Sequence, residues 1–193
     1  MIDLDNNTFM GAYQAEENLC DEIINFYNQH KKYSTPGLSY NQKTQRGESD
    51  NNIKESFDLG VSAHHYYYPM DEYRKHLQES LEKYIITYPD ANSYSRYVIQ
   101  EDYNIQYYPP GGGFKQWHFE AATIKDIRRV FVFMTYLNNV PDGGTMFKSQ
   151  NLTVPAKKGL TVIWPAGFTH VHKGQISLTK EKYIVTGWWS LIE

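Results

Sequence analysis

The chain holds seven histidines, and three of them fall in two short segments suited to metal chemistry: Trp117-His118-Phe119-Glu120 and Thr169-His170-Val171-His172-Lys173-Gly174. Alternate residues of an extended strand point to one face, so a strand through His118 and Glu120 presents an imidazole and a carboxylate side by side. A distant histidine from the second segment completes two neutral imidazoles and one carboxylate. Such a set covers one face of a metal ion and leaves the opposite positions open, as in non-haem Fe(II) sites that admit a cosubstrate and O2. Taken alone, His-x-Glu is a common surface pattern. His170 and His172 are themselves alternate residues, so either can supply the distal ligand, and His118 with both would make a three-histidine, cupin-like site. Downstream, Lys182 opens a β-rich run in which Lys182, Ile184, Thr186 and Trp188 share one face and Tyr183, Val185 and Trp189 the other. By itself a lysine at a strand start reads as a solvated edge charge.

These residues need a scaffold, and the periodicity of the chain says which. Leu19, Ile23 and Tyr27 recur at helical spacing, with Cys20 and Ile24 beside them, and predict an amphipathic helix over 14–31. Tyr73, Leu77, Leu81 and Ile85 predict a second helix, N-capped by Asp71 and stopped by Pro89. Between the two, residues 35–52 are polar and too long for a plain connector, and are expected to form a mobile substrate lid. From about Tyr94 the pattern changes to short β-rich runs at 96–108, 130–137, 145–147, 152–154, 160–164 and 183–189, separated by Gly/Pro turns such as Pro141-Asp142-Gly143-Gly144. Helices followed by evenly spaced short strands predict an α+β fold whose strands close into a jelly roll or barrel, and exclude a parallel α/β sheet.

At 193 residues the chain is expected to be a single domain, with 1–93 as helical support and lid and 94–193 as the β core. Its hydrophobic share of 40% and charged share of 21% are those of a folded globular protein rather than a disordered one. A net charge of −3 supplies no field for nucleic acid or anionic lipid, so neither is expected as a partner. Cys20 is the only cysteine, which rules out an internal disulfide and a cysteine zinc site and fits a reducing compartment. With no basic, apolar leader and no apolar stretch approaching membrane length, a soluble cytoplasmic protein is expected.

An ordered series of motifs then runs through the second half. It comprises Tyr108-Pro109-Pro110-Gly111, His118-Phe119-Glu120, Tyr136-Leu137-Asn138-Asn139-Val140, Gly143-Gly144-Thr145-Met146-Phe147, Lys157-Lys158-Gly159 and His172-Lys173-Gly174, then Lys182 ten residues on, leading to Gly187-Trp188. In order and spacing the series resembles the Fe(II)- and 2-oxoglutarate-dependent dioxygenases of the prolyl 4-hydroxylase type over residues 94–189. The resemblance implies a double-stranded β-helix (jelly-roll) core, Fe(II) held by His118, Glu120 and His172, 2-oxoglutarate as cosubstrate with O2, and room for ascorbate. It favours His172 over His170 as the distal ligand and makes Lys182 the cation for the C5 carboxylate of 2-oxoglutarate. Tyr108 becomes the phenol at the same carboxylate, with Tyr107 as the fallback. The implied substrate is a prolyl residue in a peptide or protein. A free amino acid or other small molecule is the alternative, and a metal-binding jelly-roll module without turnover is the alternative of another class. Two departures stand out: Glu120 sits where the family usually has Asp, and Gly143-Gly144-Thr145 lacks the family's acidic turn residue.

Other features carry less. His64-His65 and Tyr66-Tyr67-Tyr68 are expected to pack against the core, Arg128-Arg129 could be a solvated strand start or hold a substrate group at the barrel mouth, and Gly111-Gly112-Gly113 lacks the helix and lysine of a phosphate-binding loop.

Overall fold

A computed structural model describes residues 4–41 and 43–192. The first half of the chain contains β1 (Gly11–Gln14), α1 (Glu17–His30), β2 (Thr35–Pro36), β3 (Ser39–Asn41), β4 (Arg46–Glu48), β5 (Lys54–Glu55), β6 (Phe57–Val61) and α2 (Met70–Thr87). The second contains β7 (Tyr97–Val98), β8 (Tyr103–Tyr108), β9 (Gly113–Phe114), β10 (Arg129–Tyr136), β11 (Val140–Phe147), β12 (Leu152–Ala156), β13 (Leu160–Pro165), β14 (His172–Gly174) and β15 (Lys182–Leu191).

An antiparallel sheet in the order β1-β13-β10-β15-β8-β6-β2, with β7 beside β15, forms the larger layer, and β12-β11-β14 the smaller. The period of two along each strand divides the apolar residues between two cores. On one face of the large sheet, Phe131, Phe133, Tyr183, Val185 and Trp189 pack with Cys20, Ile23 and Tyr27 of α1 and with Met70, Tyr73, Leu77, Leu81 and Tyr84 of α2. On the other, Val132, Met134, Tyr136 and Ile184 meet Val140, Phe147 and Val154 of the small sheet. β10 is covered on both faces for this reason, which is why its sequence reads as one apolar run. At Gly187 the space is full: a Cβ would collide with Phe133 and with the Cβ of Tyr103. The expected α+β, double-stranded β-helix architecture is what these layers make, and no described helix is long and apolar enough to cross a membrane.

Three local expectations are corrected. Residues 1–93 are more than helical support, because β1, β2 and β6 join the large sheet and β5 pairs with β9. The second helix starts at Met70 with Pro69 in the cap position and no side-chain cap; Asp71 lies in its first turn, and its buried stripe runs to Tyr84 while Ile85 is only half-buried. Residues 35–52 are largely structured, with β2 on the sheet edge and a β3–β4 hairpin closed by the Asn41 amide donating to Glu48 Oε2 at 2.7 Å.

Candidate metal centre

His118 and His172 come together through the backbone. They form an isolated antiparallel bridge, with His118 N–H donating to His172 O at 3.0 Å and His172 N–H to His118 O at 2.8 Å. The segment after His118 is not a regular strand; it is hooked to the end of β13 by Glu120 and Ala121 N–H, which both donate to Ala166 O at 3.1 and 3.0 Å. Period-two spacing therefore brings the two side chains together without a continuous ladder.

Each imidazole has one nitrogen tied to a carbonyl. His118 Nδ1 lies 3.0 Å from Gln116 O, and His172 Nδ1 lies 2.9 Å from His170 O. A carbonyl can only accept, so each Nδ1 carries the proton and each Nε2 presents a lone pair. Both Nε2 atoms stand 3.5 Å from Glu120 Oε1, longer than a good hydrogen bond. Donors in adjacent positions on an ion with bonds of ~2.1 Å stand about 3 Å apart, so this separation suits a shared cation. Among the described residues, His118, Glu120 and His172 are the group of nitrogen and carboxylate donors close enough to hold a metal ion. Burial and the neighbouring His172 push His118 toward the neutral form. Burial alone would raise Glu120, but the hydrogen bond and charge that a proton on either Nε2 supplies in the metal-free site outweigh it and hold the carboxyl well below its usual range; a metal ion would take the place of that proton. The ring of Phe114 stacks on His118 at 3.6 Å and 12°, and Phe147 and Trp164 flank His172.

His170 is elsewhere. Its ring is buried against Thr8 O, 2.9 Å from Nε2, and Thr169 Oγ1, 2.9 Å from Nδ1, so its side chain braces the N-terminal segment and only its carbonyl reaches the site, through His172. The three-histidine cluster does not form.

The donor set opens into a cavity of about 1000 Å³ between the sheets. Lys182, Ile184, Thr186 and Trp188, the predicted face of β15, line it. Lys182 is buried, its ammonium 2.8 Å from Gly143 O and 3.3 Å from Gln175 O, and among the described residues no carboxylate lies within ion-pair distance of it. Burial lowers its pKa to about 8, with the charge of Asp142 pulling weakly the other way. Tyr108 lies directly opposite in register, its ring centroid 5.0 Å from the ammonium. The Tyr108 hydroxyl already donates to Gln106 Oε1 at 2.6 Å, because the amide's nitrogen is committed to Asp58 at 3.0 Å. Tyr107 faces the other way, among Tyr27, Phe57 and Tyr183, and cannot serve as the fallback phenol.

Several cavity residues escaped the sequence. Lys54 and Asp58 form a buried pair at 2.6 Å that continues through Gln106 to Tyr108; they lie on separate short strands with no shared motif. Arg129 stacks on Trp188 at 3.6 Å and is anchored by Glu101 and Asp126, which explains the arginine that opens β10 as a brace of the site rather than a solvated residue. His64, His65 and Tyr66–Tyr68 precede α2 away from the cavity; the three tyrosines are exposed, with Arg74 over the Tyr66 ring. This corrects the expectation of core packing for His64 and the three tyrosines, while the half-buried His65 ring meets Phe26 edge-on at 5.7 Å.

The pattern of the 2OG-Fe(II) oxygenase superfamily matches residues 103–190. Solved structures with the same fold include a prolyl-4-hydroxylase of Pseudomonas putida, 17% identical with a TM-score of 0.66, covering 95% of this chain and 93% of that one. A viral collagen prolyl hydroxylase from Paramecium Bursaria Chlorella virus-1, in complex with 2-oxoglutarate, is 16% identical with a TM-score of 0.70, covering 95% of this chain and 97% of its own. A Trichoplax adhaerens prolyl hydroxylase bound to a hypoxia inducible factor peptide is 15% identical with a TM-score of 0.70, covering 96% and 84%. No curated protein sequence is significantly similar to the chain.

Proposed function

We propose that this chain, a 2-oxoglutarate- and Fe(II)-dependent oxygenase, hydroxylates an unactivated C–H in a peptide or protein, with His118, Glu120 and His172 as its iron ligands and Lys182 as the anchor of the cosubstrate. The observation that carries the reading is a buried ammonium with no carboxylate partner among the described residues, lining the same cavity as the two imidazoles and the carboxylate. When bound, iron and 2-oxoglutarate supply the oxidative decarboxylation to succinate and CO2 that couples O2 to hydroxylation.

The chain's own groups do the rest. The carbonyls of Gln116 and His170 hold the Nδ1 protons, so each imidazole turns its Nε2 toward the site as the donor atom. Lys182 offers the far carboxylate of 2-oxoglutarate a charge-assisted hydrogen bond in a water-poor environment. Tyr108 faces the same region as a phenol whose oxygen accepts, unless Gln106 turns and frees the proton. The β3–β4 hairpin, with Leu38 and Tyr40, and Trp117 across from it line the cavity and expose apolar surface at its mouth, which suits an extended peptide. A prolyl side chain as the target is taken from the solved structures of the same fold, which are prolyl hydroxylases.

The experiment is succinate release from 2-oxoglutarate with Fe(II) and O2, with and without ascorbate, across proline-containing peptides and free amino acids. Peptide-stimulated succinate with a matching mass gain of one oxygen is the expected result. Stimulation by a free amino acid alone would move the substrate to the small-molecule class, and no turnover by a folded, iron-loaded chain would leave a non-catalytic module.

A further inference from the structure

The proposed iron ligand is a glutamate in a family that usually places an aspartate there, and the second oxygen of that carboxylate has its own partners. Trp188 Nε1–H donates to Glu120 Oε2 at 3.0 Å. The guanidinium of Arg129 lies 3.6 Å over the Trp188 ring, with Nη1 3.9 Å from the same oxygen and donating to the Glu120 backbone carbonyl at 3.2 Å. Arg129 is in turn fixed by Glu101, with Nη2 2.7 Å from Oε2, and by Asp126 Oδ1 at 3.0 Å, while Ser190 Oγ donates to Glu101 at 2.7 Å. Both carboxylate oxygens are therefore spoken for in different directions: Oε1 toward the imidazoles, Oε2 toward the indole.

We infer that Trp188 and Arg129 are positioning residues that latch Oε2 of Glu120 and so present a single oxygen, Oε1, to the metal; this rests on the reading of His118, Glu120 and His172 as the metal ligands. The physical need is clear from the side chain. Glutamate has one more rotatable bond than aspartate, so an unlatched Glu120 could swing or bind through both oxygens and fill a position that the cosubstrate or O2 requires. A hydrogen-bond donor on the far oxygen removes that freedom, as groups behind metal-bound carboxylates do. The arrangement also fixes what Trp188 can offer a substrate. Its N–H is committed to Glu120 and one ring face to Arg129, so at most the other ring face and edge are available in the cavity.

Co(II) titration of the full chain, followed by its visible absorption, reads the latch without turnover. Trp188→Phe keeps the ring and removes the N–H, and should weaken Co(II) binding about 10–100-fold, the usual cost of losing such a supporting group, with a changed visible band as Glu120 takes a second contact. In a Glu120→Asp background the shorter carboxylate is drawn off the indole, so the same Trp188→Phe change should alter affinity by no more than about 3-fold. Wild-type affinity and band in Trp188→Phe, or an equal loss in both backgrounds, overturns the latch while leaving the metal site standing. A wild-type chain that binds no Co(II), or binding indifferent to His172→Ala, overturns the metal site and the latch with it. Should Trp188→Phe fail to fold, the metal-free wild-type and Glu120→Asp proteins decide the matter: one of the four tryptophan indole N–H resonances should move upfield in the variant, and four unmoved resonances overturn the latch.

Discussion

Lys182 owes its character to what surrounds it: two backbone carbonyls, the Tyr108 ring and, among the described residues, no paired acid. Its ammonium starts to lose its proton at about pH 8 in the free protein. If that ammonium pairs with the far carboxylate of 2-oxoglutarate, the protonated form is the binding form. Cosubstrate affinity should then be flat below pH 7 and fall toward a limit of about tenfold per pH unit above 8. Stability runs the other way. The unfolded lysine keeps its proton to about 10.5, so the buried charge opposes folding most below pH 8, and the unliganded protein gains stability as pH rises from 8 to 10.5. Lys182→Met should abolish both pH effects and weaken 2-oxoglutarate by roughly 2–5 kcal/mol with metal affinity nearly unchanged. A binding isotherm series over pH 6.5–9.5 checks this, and a Lys182→Met chain matching wild type would return the residue to a structural role. A second expectation concerns the paired histidines: His172→Ala should lose Co(II) binding, whereas His170→Ala should retain it and lose thermal stability, because its ring ties down Thr8.

What the sequence made legible at this scale was identity rather than bonding. Period two placed Lys182 and Trp188 on one face but left His170 and His172 equivalent, and only the family resemblance favoured His172. The commitment of Tyr108 to Gln106, two residues back on β8, is set by the Gln106–Asp58 contact, and that of Trp188 to Glu120 joins distant segments; neither has a signature along the chain.

Among the elements, β10, β12, β13 and β15 announced themselves because each buries at least one full face: β10 and β13 are near-continuous buried runs, and β12 alternates. β2, β5 and β9 are two residues each, too short to show any period, yet β5 and β9 do much to place the site. Their ladder sets Lys54 opposite Phe114, whose ring stacks on His118, and the Lys115–Glu55 pair at 2.9 Å reinforces it. The hairpin of β3 and β4 hangs from this corner and lines the cavity with residues 38–41 and Lys43, while its tip around Lys43 and Arg46 is exposed. A hairpin with no partner on its outer side is a natural closing element. Trypsin should therefore cut first at Lys43 or Arg46 in the free chain, and a saturating peptide with 2-oxoglutarate and Mn(II) should slow that cut several-fold. Mass spectrometry of the fragments locates the cut, and a rate indifferent to ligands would make the hairpin a fixed wall.

On the scale of the whole molecule, the two cores separate stability from chemistry. The helices pack on the outer face of the large sheet, the candidate centre lies on the inner face, and β10 and β15 contribute alternate residues to each. The buried polar chain in which Tyr73 of α2 meets Thr135 at 2.8 Å, Thr135 meets Thr161 at 2.7 Å and Thr161 returns to His76 of α2 at 2.7 Å lies on the helix-facing side, so it ties α2 to the sheet without crossing to the inner face. The expected split at residue 93 missed this design, since β1 and β6 carry weak alternation and join the sheet at positions set by partners far along the chain. Leu77 tests the separation because it is fully buried under α2 and touches only the outer core. Leu77→Ala should cost about 2–5 kcal/mol through lost burial and the cavity left behind. For a chain of this size that lowers the melting temperature by roughly 4–20 °C. Measured at 10 °C, where the variant remains folded, Co(II) affinity and the visible band should match wild type within about twofold, because no residue of the inner face has moved. Loss of metal affinity in a variant whose near-ultraviolet spectrum is native would show that the outer core sets the geometry of the centre, and that the sheet is too compliant to insulate one face from the other.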